Sequence, residues 1–116
     1  AIEDAKKNAK RNGVENAEFR VGAAEDVLPE LVNNGLRPDV IVIDPPRKGC
    51  EEAVLRAILS AAPRRVVYVS CGAPTLARDA KILTEGGYKA TKVQCVDMFC
   101  WTSGVETVCL LSKACD

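Results

Sequence analysis

The sequence predicts an α/β fold, with a mostly parallel sheet, helices on both faces and an antiparallel strand at the edge. Helical and strand-like segments alternate along most of the chain, which is typical of strand–helix–strand units whose strands form one sheet. The last two strand-like segments follow each other without a helix, and this succession favours an antiparallel pair. With 116 residues, the chain is one domain at most.

Each predicted element has a local reason. Residues Ala1 to Arg11 have the spacing of an amphipathic helix, and Asn12-Gly13 is a common helix end. Val40 to Ile43 are β-branched apolar residues without polar alternation, which is typical of a strand buried on both faces. The remaining helices are predicted over 25–33, 51–62 and 75–85, and the remaining strands over 17–21, 65–71, 88–98 and 105–112.

Composition excludes several classes of protein. Basic and acidic residues number 16 each, so RNA binding cannot be inferred from the net charge and would need a local basic patch. The six cysteines contain no C-x-x-C pair, there is no histidine, and no apolar run reaches the length of a membrane span. We therefore expect reduced thiols in a cytoplasmic protein without a metal site, rather than a disulfide scaffold.

Polar residues follow a buried strand at its carboxyl end, the edge where open α/β sheets bind ligands. Asp44 and two prolines come directly after Ile43, and the prolines stiffen the turn because each fixes its own φ angle. Asp44 either caps the next helix or faces a crevice as a functional carboxylate, and local sequence leaves both readings open. Arg47 and Lys48 are either solvated charges or a pair that holds a phosphate.

Cys71 and Glu106 are the candidate catalytic residues. A cysteine within an apolar run is most often a small buried hydrophobe. Cys71, however, is the last residue of its predicted strand and precedes Gly72 and a helix, whose N-terminus favours a thiolate. Glu106 interrupts an apolar strand and is either an outward surface residue or an inward general base, which periodicity alone does not decide.

Four motifs occur in order along nearly the whole chain. They are Asp44-Pro-Pro-Arg-Lys-Gly49, Ser70-Cys71, Thr75-Leu-Ala-Arg-Asp79, and Asp97-Met-Phe99 with Val105-Glu106. Together they resemble the RNA uracil-5-methyltransferase family. The resemblance implies a partial Rossmann-like (class I) methyltransferase sheet and S-adenosylmethionine-dependent methylation of carbon 5 of a uridine in transfer or ribosomal RNA. An arginine follows the two prolines, whereas amino-methyltransferases have an aromatic residue there.

The resemblance also implies roles for the candidate residues. The Cys71 thiolate would add to carbon 6 of the uracil, carbon 5 would then attack the methyl group, and Glu106 would remove the carbon-5 hydrogen. The uridine would flip out of its RNA stack to reach the thiol. The other implied site residues are Asp44, Glu25 and Pro45 at the cofactor, and Arg47, Lys48 and Arg78 at the RNA.

The chain departs from the family pattern at three places. Gly72 replaces the asparagine of a Ser-Cys-Asn-Pro motif, Ala23 replaces an aspartate that would contact adenine, and Gly104 replaces a histidine before the glutamate. Two further functions therefore stay open. One is a degenerate domain that binds RNA or a partner without catalysis, and the other is a methyltransferase that acts on another RNA position.

The family's glycine-rich first turn and its RNA-binding domain have no counterpart in the chain. We therefore expect residues 1–116 to be the carboxyl-terminal portion of the catalytic domain, and to bind S-adenosylmethionine weakly or not at all by themselves. Without the family's first two strands, one edge of the Val40 to Ile43 strand has no neighbour. We expect this edge to pair with the predicted strand over 17–21, or with a second molecule through self-association.

Overall fold

The computed structural model describes residues 1–96 and 106–114, which contain four helices and four strands. The helices are α1 (Ile2–Arg11), α2 (Ala24–Asn33), α3 (Glu52–Ala61) and α4 (Ala73–Glu85). The strands are β1 (Val40–Ile43), β2 (Arg65–Ser70), β3 (Tyr88–Val96) and β4 (Glu106–Lys113). None of the helices in these ranges is both long and apolar enough to cross a lipid bilayer. The Asp97-Met-Phe99 motif, Gly104 and Val105 lie outside the described residues.

The strands form one sheet in the order β1-β2-β4-β3. β1 and β2 are parallel, whereas β4 is antiparallel to both of its neighbours, so β3 runs in the same direction as β1 and β2. The predicted α/β class and the antiparallel pairing of the last two strands are confirmed. The antiparallel strand itself, however, lies between β2 and β3 and not at the edge of the sheet.

The core is a cluster of buried side chains between α3, α4 and one face of the sheet. Alternate residues of β2 and β4 point to this face, since Val66 pairs with Leu111 and Tyr68 pairs with Cys109. The helices contribute Val54, Leu55 and Ile58 from α3 and Leu83 from α4. α2 packs against α3 through a second cluster of Val32, Ala57 and Ala61.

The prediction of helices on both faces is wrong for α2, α3 and α4, because their buried side chains cover the same face. The reason lies in the connections. The crossover from β1 through α3 to β2 and the crossover from β2 through α4 to β3 move across the sheet in the same direction. Since such crossovers are right-handed, both helices lie on one face. On the opposite face Val40 and Val42 are 48% and 65% exposed.

β1 is an edge strand and not the doubly buried strand that its composition predicts. Its four residues alternate between exposed and half-buried, and β2 is the strand that pairs with it. Residues 17–21, for which the sequence predicts a strand, have no strand conformation and do not pair with β1. A strand needs a neighbour for its backbone hydrogen bonds, and the alternating pattern of residues 17–21 does not supply one.

Candidate active site

Three candidate residues lie at one edge of the sheet, at the carboxyl ends of β1 and β2. Asp44 directly follows β1, and Cys71 directly follows β2. Glu106 is the first residue of β4, which begins at this edge because it runs antiparallel to β2 and Thr107 pairs with Ser70. Three segments that are distant in sequence therefore meet at one edge.

A cavity of about 460 Å³ opens beside the turn that follows β1. Asp44, Pro45 and Glu25, the three residues predicted to bind a cofactor, all line this cavity. The side chains of Val42 and Val54 supply apolar walls. The cavity therefore combines three carboxylates, those of Glu25, Asp44 and Glu51, with apolar surface, and its volume is in the range of small-molecule sites.

Cys71 is half-buried and lies outside the apolar core. The buried Ser70 hydroxyl fixes the next turn, since it donates to the Gly72 carbonyl oxygen at 2.9 Å and accepts from the Gly72 amide at 3.0 Å. The Thr75 hydroxyl lies 2.9 Å from the carbonyl oxygens of both Gly72 and Arg47. Glycine permits this close approach, because a Cβ at Gly72 would lie 3.2 Å from the Arg47 carbonyl oxygen.

Glu106 is half-buried, and its Oε2 atom is buried without a hydrogen-bond partner among the described residues. Burial of an unpaired carboxylate oxygen lowers the stability of the fold, so its presence indicates a role other than stabilisation. Within residues 1–96 and 106–114, no other side-chain nitrogen or oxygen is in this condition. A carboxylate held in this way is suited to accept a proton from a bound group.

The three predicted RNA contacts differ in their surroundings. Arg47 and Lys48 are exposed on the turn after the two prolines. Lys48 pairs with Glu51 at 3.3 Å, but both side chains are mostly exposed and such pairs are weak. Arg78 is bound to protein groups, since its Nε donates to Asp79 at 3.1 Å and its Nη2 donates to the Lys48 carbonyl oxygen at 2.8 Å.

Asp79, a fully buried carboxylate in α4, has no role in the sequence-based assignment. Its Oδ2 atom accepts hydrogen bonds from the Tyr68 hydroxyl at 2.5 Å and from the Cys50 amide at 2.8 Å. A signal was present in the sequence, because Asp79 lies three residues after Leu76 and four before Leu83, on the apolar face of the helix. A charge at such a position indicates a buried carboxylate with hydrogen-bond partners.

The groups around Asp79 have altered acid–base properties. Burial, and next the Asp79 charge, raise the pKa of the Cys50 thiol to about 11. Burial, and next the hydrogen bond to Asp79, raise the pKa of the Tyr68 hydroxyl. Both groups are therefore protonated at neutral pH, and Cys50 is a poor nucleophile there.

The family model described as tRNA (uracil-5-)-methyltransferase matches residues 1–114 of the chain. The chain belongs to this family. A relative from Enterococcus faecalis, named an uncharacterized RNA methyltransferase, is 53% identical over 116 residues, which is all of this chain and 25% of the relative. A relative of the same name from Bacillus cereus is 58% identical over 113 residues, which is 97% of this chain and 25% of that protein. The chain spans about a quarter of the length of the curated relatives it matches.

Solved structures place the fold of this tRNA (uracil-5-)-methyltransferase family member among methyltransferases. Pyrococcus abyssi tRNA (uracil-54, C5)-methyltransferase, crystallised with S-adenosyl-L-homocysteine, matches with a TM-score of 0.80 and 34% identity over 95% of this chain and 26% of that chain. The M1.HpyAVI–SAM complex matches with a TM-score of 0.61 over 84% of this chain and 53% of that chain, and its 17% identity makes this a likeness of fold alone. The predicted Rossmann-like methyltransferase sheet is confirmed.

Proposed function

We propose that this chain is the carboxyl-terminal portion of an enzyme that methylates carbon 5 of a uridine in transfer or ribosomal RNA. The observation that carries the proposal is the meeting of Asp44, Cys71 and Glu106 at one edge of the sheet. Family membership supports the reaction. The crystallised complex of the Pyrococcus abyssi enzyme with S-adenosyl-L-homocysteine supports S-adenosylmethionine as the methyl donor.

The cavity beside Asp44 has the volume of a small-molecule site, and its lining suits part of S-adenosylmethionine. The carboxylates of Glu25 and Asp44 suit the hydroxyl and amino groups of a nucleoside, and the apolar walls suit its ring. When bound, the cofactor supplies an activated methyl group. We infer that Glu25, Asp44 and Pro45 are the part of its site that this chain contributes, and that the 116 residues alone bind it weakly or not at all.

Cys71 is the proposed nucleophile. Its thiolate forms a bond to carbon 6 of the uracil ring, and the electron pair of the C5–C6 double bond moves to give an enolate. Carbon 5 of the enolate would then take the methyl group of the bound cofactor, whose bond to the sulfonium sulfur breaks so that S-adenosyl-L-homocysteine leaves, while the Cys71 sulfur stays bonded to carbon 6. The turn fixed by Ser70 and Thr75 holds the sulfur at the edge of the sheet, where a flipped-out uridine can reach it.

Glu106 is the proposed base. Its unpaired Oε2 atom takes the proton from carbon 5, the C–H electron pair re-forms the C5–C6 double bond, and the bond between carbon 6 and sulfur breaks to release the thiolate. Asp44 orients the cofactor and the base of the substrate. Arg47 and Lys48 are exposed near this edge and would hold RNA phosphate.

A covalent-trapping experiment tests the proposal. It uses a chimaera, called the assembled enzyme, in which these 116 residues replace the matching segment of the Enterococcus faecalis relative. RNA that contains 5-fluorouracil blocks the last step, because fluorine replaces the hydrogen that Glu106 removes. We expect an adduct that survives denaturation, requires S-adenosylmethionine, is absent in Cys71→Ala and persists in the control Cys95→Ala, which changes an exposed cysteine.

The two alternative functions give different results in the same assay. A domain without catalysis retains RNA but forms no adduct and transfers no methyl group. An enzyme that methylates an amine of another base transfers methyl groups equally well in Cys71→Ala. Gly72 does not by itself favour loss of catalysis, since a side chain there would crowd the Arg47 carbonyl oxygen.

We also infer a cytoplasmic location and self-association of the isolated chain. Among the described residues, Cys50, Cys71, Cys95 and Cys109 are unpaired thiols, as is usual in reducing compartments. Self-association is proposed because the outer edge of β1 has no strand partner in the part of the chain that the structure describes.

A further inference from the structure

The loop segment Arg47–Cys50, which follows the Pro-Pro turn, is tied to α4 through its backbone. The Cys50 amide donates to Asp79 Oδ2 at 2.8 Å, and Arg78 Nη2 donates to the Lys48 carbonyl oxygen at 2.8 Å. Arg78 Nε also pairs with Asp79 Oδ1 at 3.1 Å, so the two side chains form one unit, here called the clamp. The clamp therefore holds the loop segment at two points.

The contact between clamp and loop segment leaves no space for a side chain at Gly49. This residue has a φ of +86°, and a Cβ there would collide with the Arg78 guanidinium and lie 2.8 Å from Asp79 Oδ2. Tyr68 completes the contact from the sheet, with its hydroxyl 2.5 Å from the same carboxylate oxygen. Asp79 is thus bound by sheet, helix and loop together.

The clamp joins the segment that follows Asp44 to the helix that follows Cys71. α4 begins two residues after Cys71, and the loop segment begins three residues after Asp44. Holding the loop segment on α4 therefore fixes the carboxylate beside the cavity relative to the nucleophile. Neither Arg78 nor Asp79 lines that cavity, so the clamp acts through the loop segment and not by contact with a ligand.

We propose that Arg78 and Asp79 are positioning residues, which hold Asp44 and Cys71 in the relative placement that methyl transfer needs, and that Arg78 does not bind RNA. The inference rests on the proposed function. The rival role is a phosphate contact by Arg78, whose side chain is 54% exposed. Positioning is favoured because the guanidinium already donates in two directions, to a buried carboxylate and to a backbone carbonyl oxygen.

Two measurements on the assembled enzyme separate the roles, namely RNA affinity and the rate of adduct formation at saturating 5-fluorouracil RNA. A lost phosphate contact in Arg78→Ala weakens binding and lowers the slope of log affinity against log salt by about 1. Positioning predicts unchanged affinity and slope, with adduct formation slower by about 10- to 100-fold, since small misplacements have such effects. Arg56→Ala, which removes an exposed arginine paired with Glu52 on α3, is the matched control.

Two conservative variants distinguish the positioning role from a phosphate contact by Arg78. Arg78→Lys keeps a cation for phosphate but cannot reach both the Asp79 carboxylate and the Lys48 carbonyl oxygen, so the clamp predicts that it stays slow. Asp79→Asn is expected to be as slow as Arg78→Ala, with faster hydrogen exchange at the Cys50 amide. Circular dichroism checks that each variant is folded.

The possible outcomes distinguish the clamp from the proposed function. The positioning role is wrong if Asp79→Asn and Arg78→Lys form the adduct at the full rate, or if Arg78→Ala binds RNA more weakly. In either case the unsubstituted enzyme still forms the adduct, so the proposed function stands. An unsubstituted assembled enzyme that forms no adduct overturns the proposed function, and the positioning role with it. Slow adduct formation at unchanged RNA affinity in all three variants supports the inference.

Discussion

At the scale of the single residue, the described cysteines are chemically distinct. Cys95 is exposed and Cys109 is buried, whereas Cys50 and Cys71 are both half-buried. Burial and the charge of Asp79 set Cys50 apart, because they raise its pKa to about 11. The exposed fraction of the side chain therefore does not distinguish Cys71, the proposed nucleophile, from Cys50.

We expect alkylation of Cys50 by iodoacetamide to reach half of its maximal rate near pH 11, whereas an unperturbed thiol, with a pKa of 9.0, reaches half of its maximal rate near pH 9.0. Because the folded-state pKa is raised, the protonated thiol stabilises the fold below pH 9.0, and this contribution is lost as the pH rises to about 11. Mass spectrometry of the peptides measures each rate, with Cys95 as the exposed comparison. A half-maximal alkylation rate for Cys50 near pH 9.0 in folded protein would contradict the expectation.

Glu106→Gln is expected to form the Cys71 adduct on ordinary uridine but not to resolve it, because an amide does not take the proton from carbon 5. Turnover of the assembled enzyme should fall by about 10²- to 10⁴-fold, the usual contribution of a general base. Denaturing gels measure the trapped adduct, and methyl transfer measures turnover. Glu85→Gln, at an exposed position of α4, is the control. Normal turnover in Glu106→Gln would place the base elsewhere.

How far the candidate site can be predicted from sequence differs by residue. Asp44 follows one predicted strand and Cys71 is the last residue of another, so their common edge is predictable from the direction of parallel strands alone. The location of Glu106 depends on β4 running antiparallel to β2, which periodicity does not reveal. The bonds of Asp79 come from the sheet, the loop segment and its own helix, and no local pattern contains such a combination.

At the scale of the elements, the loop segment and α4 are in close contact at Gly49. Gly49→Ala combines strain at a φ of +86° with a collision against the clamp. Gly35→Ala is the matched control, since its φ is +103° and a Cβ there meets nothing within 4 Å. We expect Gly49→Ala to be less stable than the control by about 1–3 kcal/mol, the usual cost of overpacking. Urea unfolding measures the difference, and equal stabilities would contradict this packing.

Whether the sequence predicts an element correctly depends on whether its signal is local or comes from distant segments. All four described helices were predicted to within two residues at each end, because helical periodicity is local. Residues 17–21 have the alternation of a strand but lack a neighbour. β1 has the composition of a strand covered on both faces, but α2, α3 and α4 all cover the same face of the sheet. Strand pairing and coverage depend on distant segments, which composition does not describe.

At the scale of the whole molecule, the sheet has two unlike edges. β3 carries Lys89 and Lys92 and has an irregularity in its pairing between Ala90 and Lys92, and both features discourage pairing with another chain. β1 has no charged residue over its length and shows exposed valines beside its outer edge. Association of the isolated chain is therefore expected at β1.

Val42→Lys tests this association, because pairing of two β1 edges would bring the new charges together. Val42 is 65% exposed, so the change is tolerated by the fold. Val93→Lys is the control, at a position on β3 that is 59% exposed. Sedimentation equilibrium should show a concentration-dependent dimer for the unsubstituted chain and for Val93→Lys, and a monomer for Val42→Lys. A monomeric unsubstituted chain, or a dimer that Val42→Lys leaves unchanged, would show that β1 does not recruit a second copy.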